Sequence, residues 1–153
     1  MTVRTVADAI DRLAVTEILH RYCSQIDAGN FTAVRELFTD DARGRYWGGE
    51  WLEGGDAIVQ WLVSTCASAL FMHHMDKVYS IEIDGDRATA RCHMTAHLTG
   101  RDAPGTVMLS VGNYVDELRR EDGGWKISSR AFEQGWSELR QADQPEPVQG
   151  AAG

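Results

Sequence analysis

The amino-acid sequence predicts an α+β domain in which helices pack on one face of a curved, mostly antiparallel sheet. Two observations predict this class: the first half of the chain has the apolar spacing of helices, and the second half alternates with the period of strands. Asp84-Gly85 and Asp122-Gly123 stand between the alternating segments as hairpin signals, which excludes a parallel βαβ arrangement. The 153 residues suffice for one domain.

Three helices are predicted in the first half of the chain. The first covers residues 7–28 and ends at Gly29. Its apolar stripe, with spacings of four, three and four residues, consists of Val15, Leu19, Tyr22 and Ile26. Asn30 is predicted to cap a second helix over residues 31–38. Asp56 is predicted to cap a third helix, which begins at residue 57 and ends near Ser68.

The strands are predicted mainly after residue 77. Thr39-Asp40-Asp41 is expected to break the chain after the second helix, ahead of a strand or turn over residues 43–51. The alternating segments cover residues 78–83, 87–97, 107–118 and 125–132. Small residues on the face toward the helices leave room for a cavity or for a closely packed helix, and they are Ala88, Ala90, Ser110 and Gly112.

Composition limits the function further. The 23 acidic and 15 basic residues give a net charge of −8, which argues against nucleic acid or an anionic membrane as a partner. Polar residues interrupt the most apolar run, residues 57–75, so no membrane span is predicted. The three cysteines form no CxxC pair, which favours reduced thiols in a cytoplasmic protein. Residues 141–153 are predicted to form a disordered tail after a single domain over residues 1–140.

Asp27, at the end of the first helix, and His74, ahead of the first long strand, form a candidate acid–base pair. Taken singly, each is more often a structural residue. Together they gain a function, because a carboxylate beside an imidazole fixes its tautomer and favours its protonated form. Such a pair can remove a proton from carbon without a cofactor. Adjacent residues of an extended chain point to opposite faces, so at most one of His73 and His74 faces the interior.

A zinc site is an alternative use of the histidines. His93 and His97 share one face of a predicted strand and need only a third ligand. Four residues along a strand separate them by roughly 13 Å, too far to bind one ion unless a bulge intervenes. We therefore expect no metal. Three tryptophans, Trp47, Trp51 and Trp61, either line a pocket or belong to the core.

Four segments carry a resemblance to a known family. They are RYCSQIDAGN (21–30), LFTDDA (37–42), HH…IEIDGDRATAR (73–91) and DGGWKISSRAF (122–132). The chain from residue 11 to about residue 136 resembles the SnoaL-like, nuclear-transport-factor-2-like superfamily. Within it, the chain is similar to the branch of scytalone dehydratase, bile-acid dehydratase and hexachlorocyclohexane dehydrochlorinase. The resemblance implies a cone-shaped α+β barrel with an Asp–His dyad, no metal or organic cofactor, and a homotrimer or homodimer.

The resemblance also implies roles for individual residues. The family acid falls on Asp27 and the family histidine on His74, which keeps a seven-residue spacing to Ile81, whereas a one-residue bulge would make His73 the match. Tyr46 matches a tyrosine that positions a catalytic water, and is therefore a third catalytic candidate. Two further candidates would bind substrate, and they are Tyr22 and Arg130. Strand alternation alone would place Arg130 on a solvated face.

We therefore expect a cofactor-independent lyase of the dehydratase type, or an isomerase, that acts on a hydrophobic cyclic small molecule. In this hypothesis His74 takes a proton from carbon and Asp27 stabilises the imidazolium that forms. Tyr46, directly or through water, and Arg130 stabilise the developing negative charge. The alternatives are an enzyme similar to polyketide cyclases, or a non-catalytic module that binds small molecules or assembles through the same fold.

Overall fold

The computed structural model describes residues 5–143, in which three helices and six strands build one α+β unit. The helices are α1 (Val6–Asp27), α2 (Phe31–Glu36) and α3 (Gly55–Cys66). The strands are β1 (Phe38–Arg45), β2 (Leu52–Glu53), β3 (Ala69–Asp84), β4 (Arg87–Gly100), β5 (Thr106–Glu121) and β6 (Gly124–Gln141). None of these helices has the length and apolar character needed to cross a membrane.

The strands form a single sheet in the order β2-β1-β6-β5-β4-β3. All neighbours are antiparallel except β1 and β6, which run parallel. The hairpins predicted at Asp84-Gly85 and Asp122-Gly123 connect β3 to β4 and β5 to β6. The predicted fold class, helices followed by a curved and mostly antiparallel sheet, is confirmed.

Helix α1 covers the inner face of the sheet. Its N-cap is Thr5, whose side-chain hydroxyl accepts a hydrogen bond from the Asp8 N–H at 3.0 Å and so satisfies one N–H donor of the first turn. It ends before Gly29, which has a φ of +67° and turns the chain toward α2. The four residues of the predicted apolar stripe are all buried in the core that α1 shares with the sheet.

The second helix is shorter than predicted. It ends at Glu36, and β1 begins at Phe38, so residues 39–41 continue a strand where a break was expected. β1 pairs with β6 at both ends of this stretch: at Phe38, next to the hydrogen bond that the Ile127 N–H donates to the Leu37 carbonyl at 2.8 Å, and again from Arg43, with an irregular register between them. The two acidic residues of this stretch stay exposed and pair with arginines, Asp40 with Arg35 and Asp41 with Arg119.

Helix α3 begins differently from the prediction. Its N-cap is Gly54, at a φ of +96°, and no side chain caps it. Asp56 lies in the first turn instead and pairs with Arg35 of α2. Gly55 allows this approach, because a Cβ atom there would lie 2.8 Å from the Arg35 guanidinium and 2.8 Å from the Thr39 carbonyl oxygen. The close packing of α2, β1 and α3 therefore determines where the helix starts.

Strands β3 and β6 extend beyond their predicted limits. β3 pairs with β4 over residues 69–84, so both His73 and His74 lie inside the strand and not ahead of it. β6 pairs with β5 as far as Gln141, the first residue of the predicted tail. Residues 144–153 of that tail lie outside the described residues.

Of the one-residue bulges in the described strands, two change which of the candidate site residues face inward. In β3, Val78 pairs with Cys92 and Ser80 with Arg91, so Tyr79 is the extra residue. In β6, Ile127 pairs with Leu118 and Ser129 with Glu117, so Ser128 is the extra residue. A bulge reverses the alternation of faces along its strand. In a regular strand, residues on the same face are separated by an even number of positions. Across each bulge, two residues that both face the core are separated by an odd number.

Candidate active site

A cavity of about 290 Å³ lies between the helices and the inner face of the sheet. Its lining is mainly apolar, and the aromatic members are Tyr22, Tyr46, Trp47, Trp61, Tyr114 and Phe132. His74 lies in the same wall. An engineered cavity of about 150 Å³ accepts benzene, so this one has room for one or two substituted rings. An apolar cavity with few polar groups is typical of a small-molecule site.

Asp27 and His74 are in contact at this wall. Asp27 Oδ1 accepts a hydrogen bond from His74 Nδ1 at 2.6 Å, and Asp27 Oδ2 accepts one from the His74 backbone N–H at 2.9 Å. The two side chains are only 21% and 12% exposed. Because a carboxylate only accepts hydrogen bonds, the proton of a neutral imidazole stays on Nδ1. The lone pair on Nε2 is then left free to accept a proton.

The position of each partner follows from its element. Asp27 is the last residue of α1, one position after the buried Ile26. His74 shares the inner face of β3 with Ile81, although seven residues separate them, because the bulge at Tyr79 reverses the alternation once. The bulge thus places His74 on the inner face, whereas a bulge was expected to make His73 the residue that matches the family histidine. His73 lies on the outer face, where its ring packs on His97.

Tyr22 and Tyr46 also line the cavity, and their hydroxyls lie 3.0 Å apart. Tyr22 comes from the stripe of α1, and Tyr46 follows β1 and stacks on Trp61. Burial raises the pKa of both phenols well above the usual value. Both hydroxyls therefore remain protonated at neutral pH, and one of them keeps a proton that it can donate to a bound molecule.

Arg130 lies behind the cavity wall. Its side chain is 1% exposed, and its Nε and Nη2 donate to the two oxygens of Asp116 at 2.7 and 3.0 Å. The guanidinium is held between the rings of Tyr22 and Tyr114, at 4.0 and 4.2 Å from their centroids. Arg130 is not among the residues that line the cavity but contacts two tyrosines that are, so its contact with substrate stays a prediction. The Arg130 side chain points inward because the bulge at Ser128 reverses the alternation of faces. The prediction from alternation alone, that Arg130 lies on a solvated face, is therefore wrong.

The remaining candidates, the three tryptophans and the two predicted metal-binding histidines, do not all lie at the cavity. Trp47 and Trp61 line the cavity, whereas Trp51 packs under Arg43 and Arg45. Of the predicted metal ligands, His93 Nδ1 bonds to the Asn113 side chain, and His97 stacks on His73. Within the described part of the chain, no three His, Cys, Asp or Glu side chains are grouped closely enough to hold a metal ion.

Ser110 is a polar residue of the wall that was not a site candidate in the sequence. Ser110 lines the cavity from β5, and its hydroxyl has no hydrogen-bond partner among residues 5–143. The sequence signal was only that a small residue occupies an inward position of a strand. A small inward residue predicts space but does not say that its hydroxyl lacks a partner.

Comparison with known proteins gives the same fold. A candidate scytalone dehydratase from Novosphingobium aromaticivorans superposes with a TM-score of 0.80 at 18% identity, over 94% of this chain and 97% of that one. Hexachlorocyclohexane dehydrochlorinase type 3 from Novosphingobium barchaimii superposes with a TM-score of 0.80 at 15% identity, over 91% and 96% of the two chains. At these identities the likeness establishes a shared architecture.

Sequence comparison adds a relative and a family. An uncharacterized protein of Mycobacterium tuberculosis is 29% identical over 127 residues, which span 82% of this chain and 86% of the relative. The model of the SnoaL-like domain matches residues 7–131. That match includes all but the first residue of α1, the cavity lining except Phe132, and the Asp27–His74 pair, and it ends one residue after Arg130. On this basis, the chain belongs to the SnoaL-like domain family.

Proposed function

We propose that this protein is a cofactor-independent lyase of the dehydratase type, or an isomerase, that removes a proton from carbon in a hydrophobic cyclic substrate. The observation that carries the proposal is the contact between Asp27 and His74 at the wall of an apolar cavity. This pairing gives a base with a defined tautomer next to the space where a ring would bind.

The proton step uses His74 as the base. Its Nε2 takes the proton, and the electron pair of the C–H bond passes into the substrate as a new C=C bond or enolate. The imidazolium that forms is stabilised by Asp27, which already accepts the Nδ1 proton at 2.6 Å. A positioned base of this kind accelerates proton removal by roughly a hundred- to ten-thousand-fold.

Charge that develops on the substrate is stabilised by the Tyr22–Tyr46 pair. One of the two hydroxyls donates to the other, and the remaining proton is available to a carbonyl oxygen or a leaving hydroxyl. The Arg130 cation packs on the Tyr22 ring and increases the electrostatic preference for negative charge nearby. In a dehydration, the bond to the leaving oxygen breaks with its electron pair, and the oxygen takes a proton and departs as water.

Dehydration fits the site best, but isomerisation and aldol-type cyclisation begin with the same proton transfer. The two structural neighbours named for lyases, a dehydratase and a dehydrochlorinase, support elimination. The products distinguish these outcomes, because elimination releases water whereas isomerisation conserves the mass of the substrate.

The experiment is hydrogen–deuterium exchange at carbon, followed by NMR across a panel of cyclic ketones and ketols in D₂O. We expect the wild-type protein to accelerate exchange, and His74→Ala and Asp27→Asn to lower that rate by about a hundred-fold or more. His73→Ala is the matched control, because His73 is the neighbouring imidazole on the outer face, and it should leave the rate unchanged. Equal rates in wild type, His74→Ala and Asp27→Asn would contradict the proposal and favour a non-catalytic binding module.

A further inference from the structure

The strongest unexplained feature of the cavity is the hydroxyl of Ser110. The residue is 2% exposed and lies in the cavity wall. Among residues 5–143, its Oγ has no hydrogen-bond partner, whereas the cavity-lining hydroxyls of Tyr22 and Tyr46 bond to each other. A buried hydroxyl without a partner is unfavourable, because it has lost its bonds to water. A ligand oxygen in the cavity would supply the missing bond.

The sheet register fixes where this hydroxyl lies relative to the base. His74 on β3 pairs with Ala96 on β4, and Ala96 pairs with Ser110 on β5. The three residues form one row across the inner face, and all of them line the cavity. Since neighbouring strands lie about 4.8 Å apart, His74 and Ser110 are separated by roughly 10 Å between their Cα atoms. Ala96 between them has a single methyl group, which leaves the space above the row open.

We propose that Ser110 binds an oxygen atom of the substrate on the side of a ring opposite the C–H bond that His74 attacks. The inference rests on the proposed function only in assigning His74 as the base. It specifies the substrate class as a mono- or bicyclic molecule with a second oxygen, a hydroxyl or a carbonyl, across the ring from the reacting carbon. Ser110 is then a specificity-determining residue, and the Tyr22–Tyr46 pair serves the oxygen at the reacting end.

The test measures binding and does not require turnover. The probes are 1-indanone, 5-hydroxy-1-indanone, whose hydroxyl lies across the aromatic ring from the carbonyl carbon, and 7-hydroxy-1-indanone, whose hydroxyl lies beside the carbonyl. Dissociation constants are measured by isothermal titration calorimetry. We expect wild-type protein to prefer the 5-hydroxy probe to 1-indanone, and Ser110→Ala to reduce this preference about three- to ten-fold.

Two further variants separate the hydroxyl from the space it occupies. Ser110→Thr keeps a hydroxyl at the position and should retain the preference for the 5-hydroxy probe. Ser137→Ala is the matched control, because Ser137 pairs with Ser110 in the same row but is exposed on β6, and it should bind all three probes as wild type does. The 7-hydroxy probe should show no dependence on Ser110.

The inference is overturned if Ser110→Ala keeps the wild-type preference, if wild type binds none of the three probes, or if Ser137→Ala loses the preference equally. Its failure is distinguishable from failure of the proposed function, since carbon–deuterium exchange requires His74 and Asp27 and does not require Ser110. If the preference for the 5-hydroxy probe depends on Ser110 but the protein does not accelerate carbon–deuterium exchange, Ser110 binds a ligand oxygen in a protein that is not this enzyme. If the protein accelerates exchange but shows no such preference, the proposed function stands and the role of Ser110 is wrong.

Discussion

Arg130 carries its charge inside the domain without reaching the cavity. Its guanidinium donates hydrogen bonds to both carboxylate oxygens of Asp116, and two tyrosine rings pack on the faces of the guanidinium plane. Nη1 keeps no partner within the described residues. A buried ion pair of this kind gains little over a well-packed apolar pair, but the loss of one partner leaves an uncompensated charge in the interior.

We therefore expect Arg130→Met to lower the free energy of unfolding by about 3–5 kcal/mol, because Asp116 would remain buried and unpaired. The double variant Arg130→Met/Asp116→Leu should be markedly more stable than the single variant, since both charges are removed together. Urea denaturation followed by circular dichroism measures both. A double variant that loses as much as the sum of the two single variants would argue against a coupled pair.

The residue scale also shows what sequence could and could not predict about the site. Asp27 and His74 were named from their types and from a family resemblance, and the structure places them in contact. Arg130 required more than alternation, because the bulge at Ser128 reverses its face. The free hydroxyl of Ser110 was not predictable, because a missing hydrogen bond depends on every neighbour in three dimensions.

At the level of elements, the sheet depends on close contact between β5 and β6. A Cβ atom at Gly112 would lie 2.4 Å from the Glu133 carbonyl oxygen and 2.6 Å from the Phe132 ring. Phe132 lines the cavity and packs against Tyr114. The absence of a side chain at Gly112 therefore lets β6 place this aromatic ring over the sheet.

Gly112→Ala should lower the free energy of unfolding by about 1–3 kcal/mol, because backbone or ring must move to admit the methyl group. Gly124→Ala is the control, since a Cβ there meets its nearest atom, the Glu121 carbonyl oxygen, at 3.9 Å. Thermal or urea denaturation of both variants gives the difference. Equal stability of the two variants would show that the strands separate easily at this point.

Sequence predicted the elements better than their limits. The three helices and the two hairpins follow from periodicity and turn residues, which are local signals. The start of β1 and the length of β3 were not predicted, because each is determined by a partner strand far away in the chain. The bulges are likewise properties of a pair of strands, and a single strand carries no clear mark of them.

At the scale of the whole molecule, three of the four tyrosines are buried around one cation. These are Tyr22, Tyr46 and Tyr114, which line the cavity in front of the buried Arg130 side chain. Burial raises the pKa of each phenol well above the usual value. The folded protein therefore holds three protons that the unfolded chain releases once the pH exceeds about 10. The homotrimer or homodimer implied by the family resemblance stays a prediction.

The free energy of unfolding should consequently fall from about pH 9, where the unfolded chain releases the protons of the buried Cys23 and Cys92 thiols, and more steeply above about pH 10. The tyrosines add about 1.4 kcal/mol per pH unit each to this fall. The sign follows because a raised pKa in the fold favours the protonated form, which high pH removes. Urea denaturation between pH 8 and pH 11 measures the slope. Tyr114→Phe removes one of the phenols and should make the slope shallower; an unchanged slope would exclude Tyr114 as a contributor.

The extra residue at Tyr79 has an evolutionary consequence. Because the bulge reverses the alternation between Ile81 and the two adjacent imidazoles, deletion of that codon is expected to place His73 on the face of Ile81 without altering either histidine. Insertions and deletions of single residues in this edge strand would then change which imidazole lies beside Asp27. Relatives that keep both histidines but differ in strand length need not share an activity.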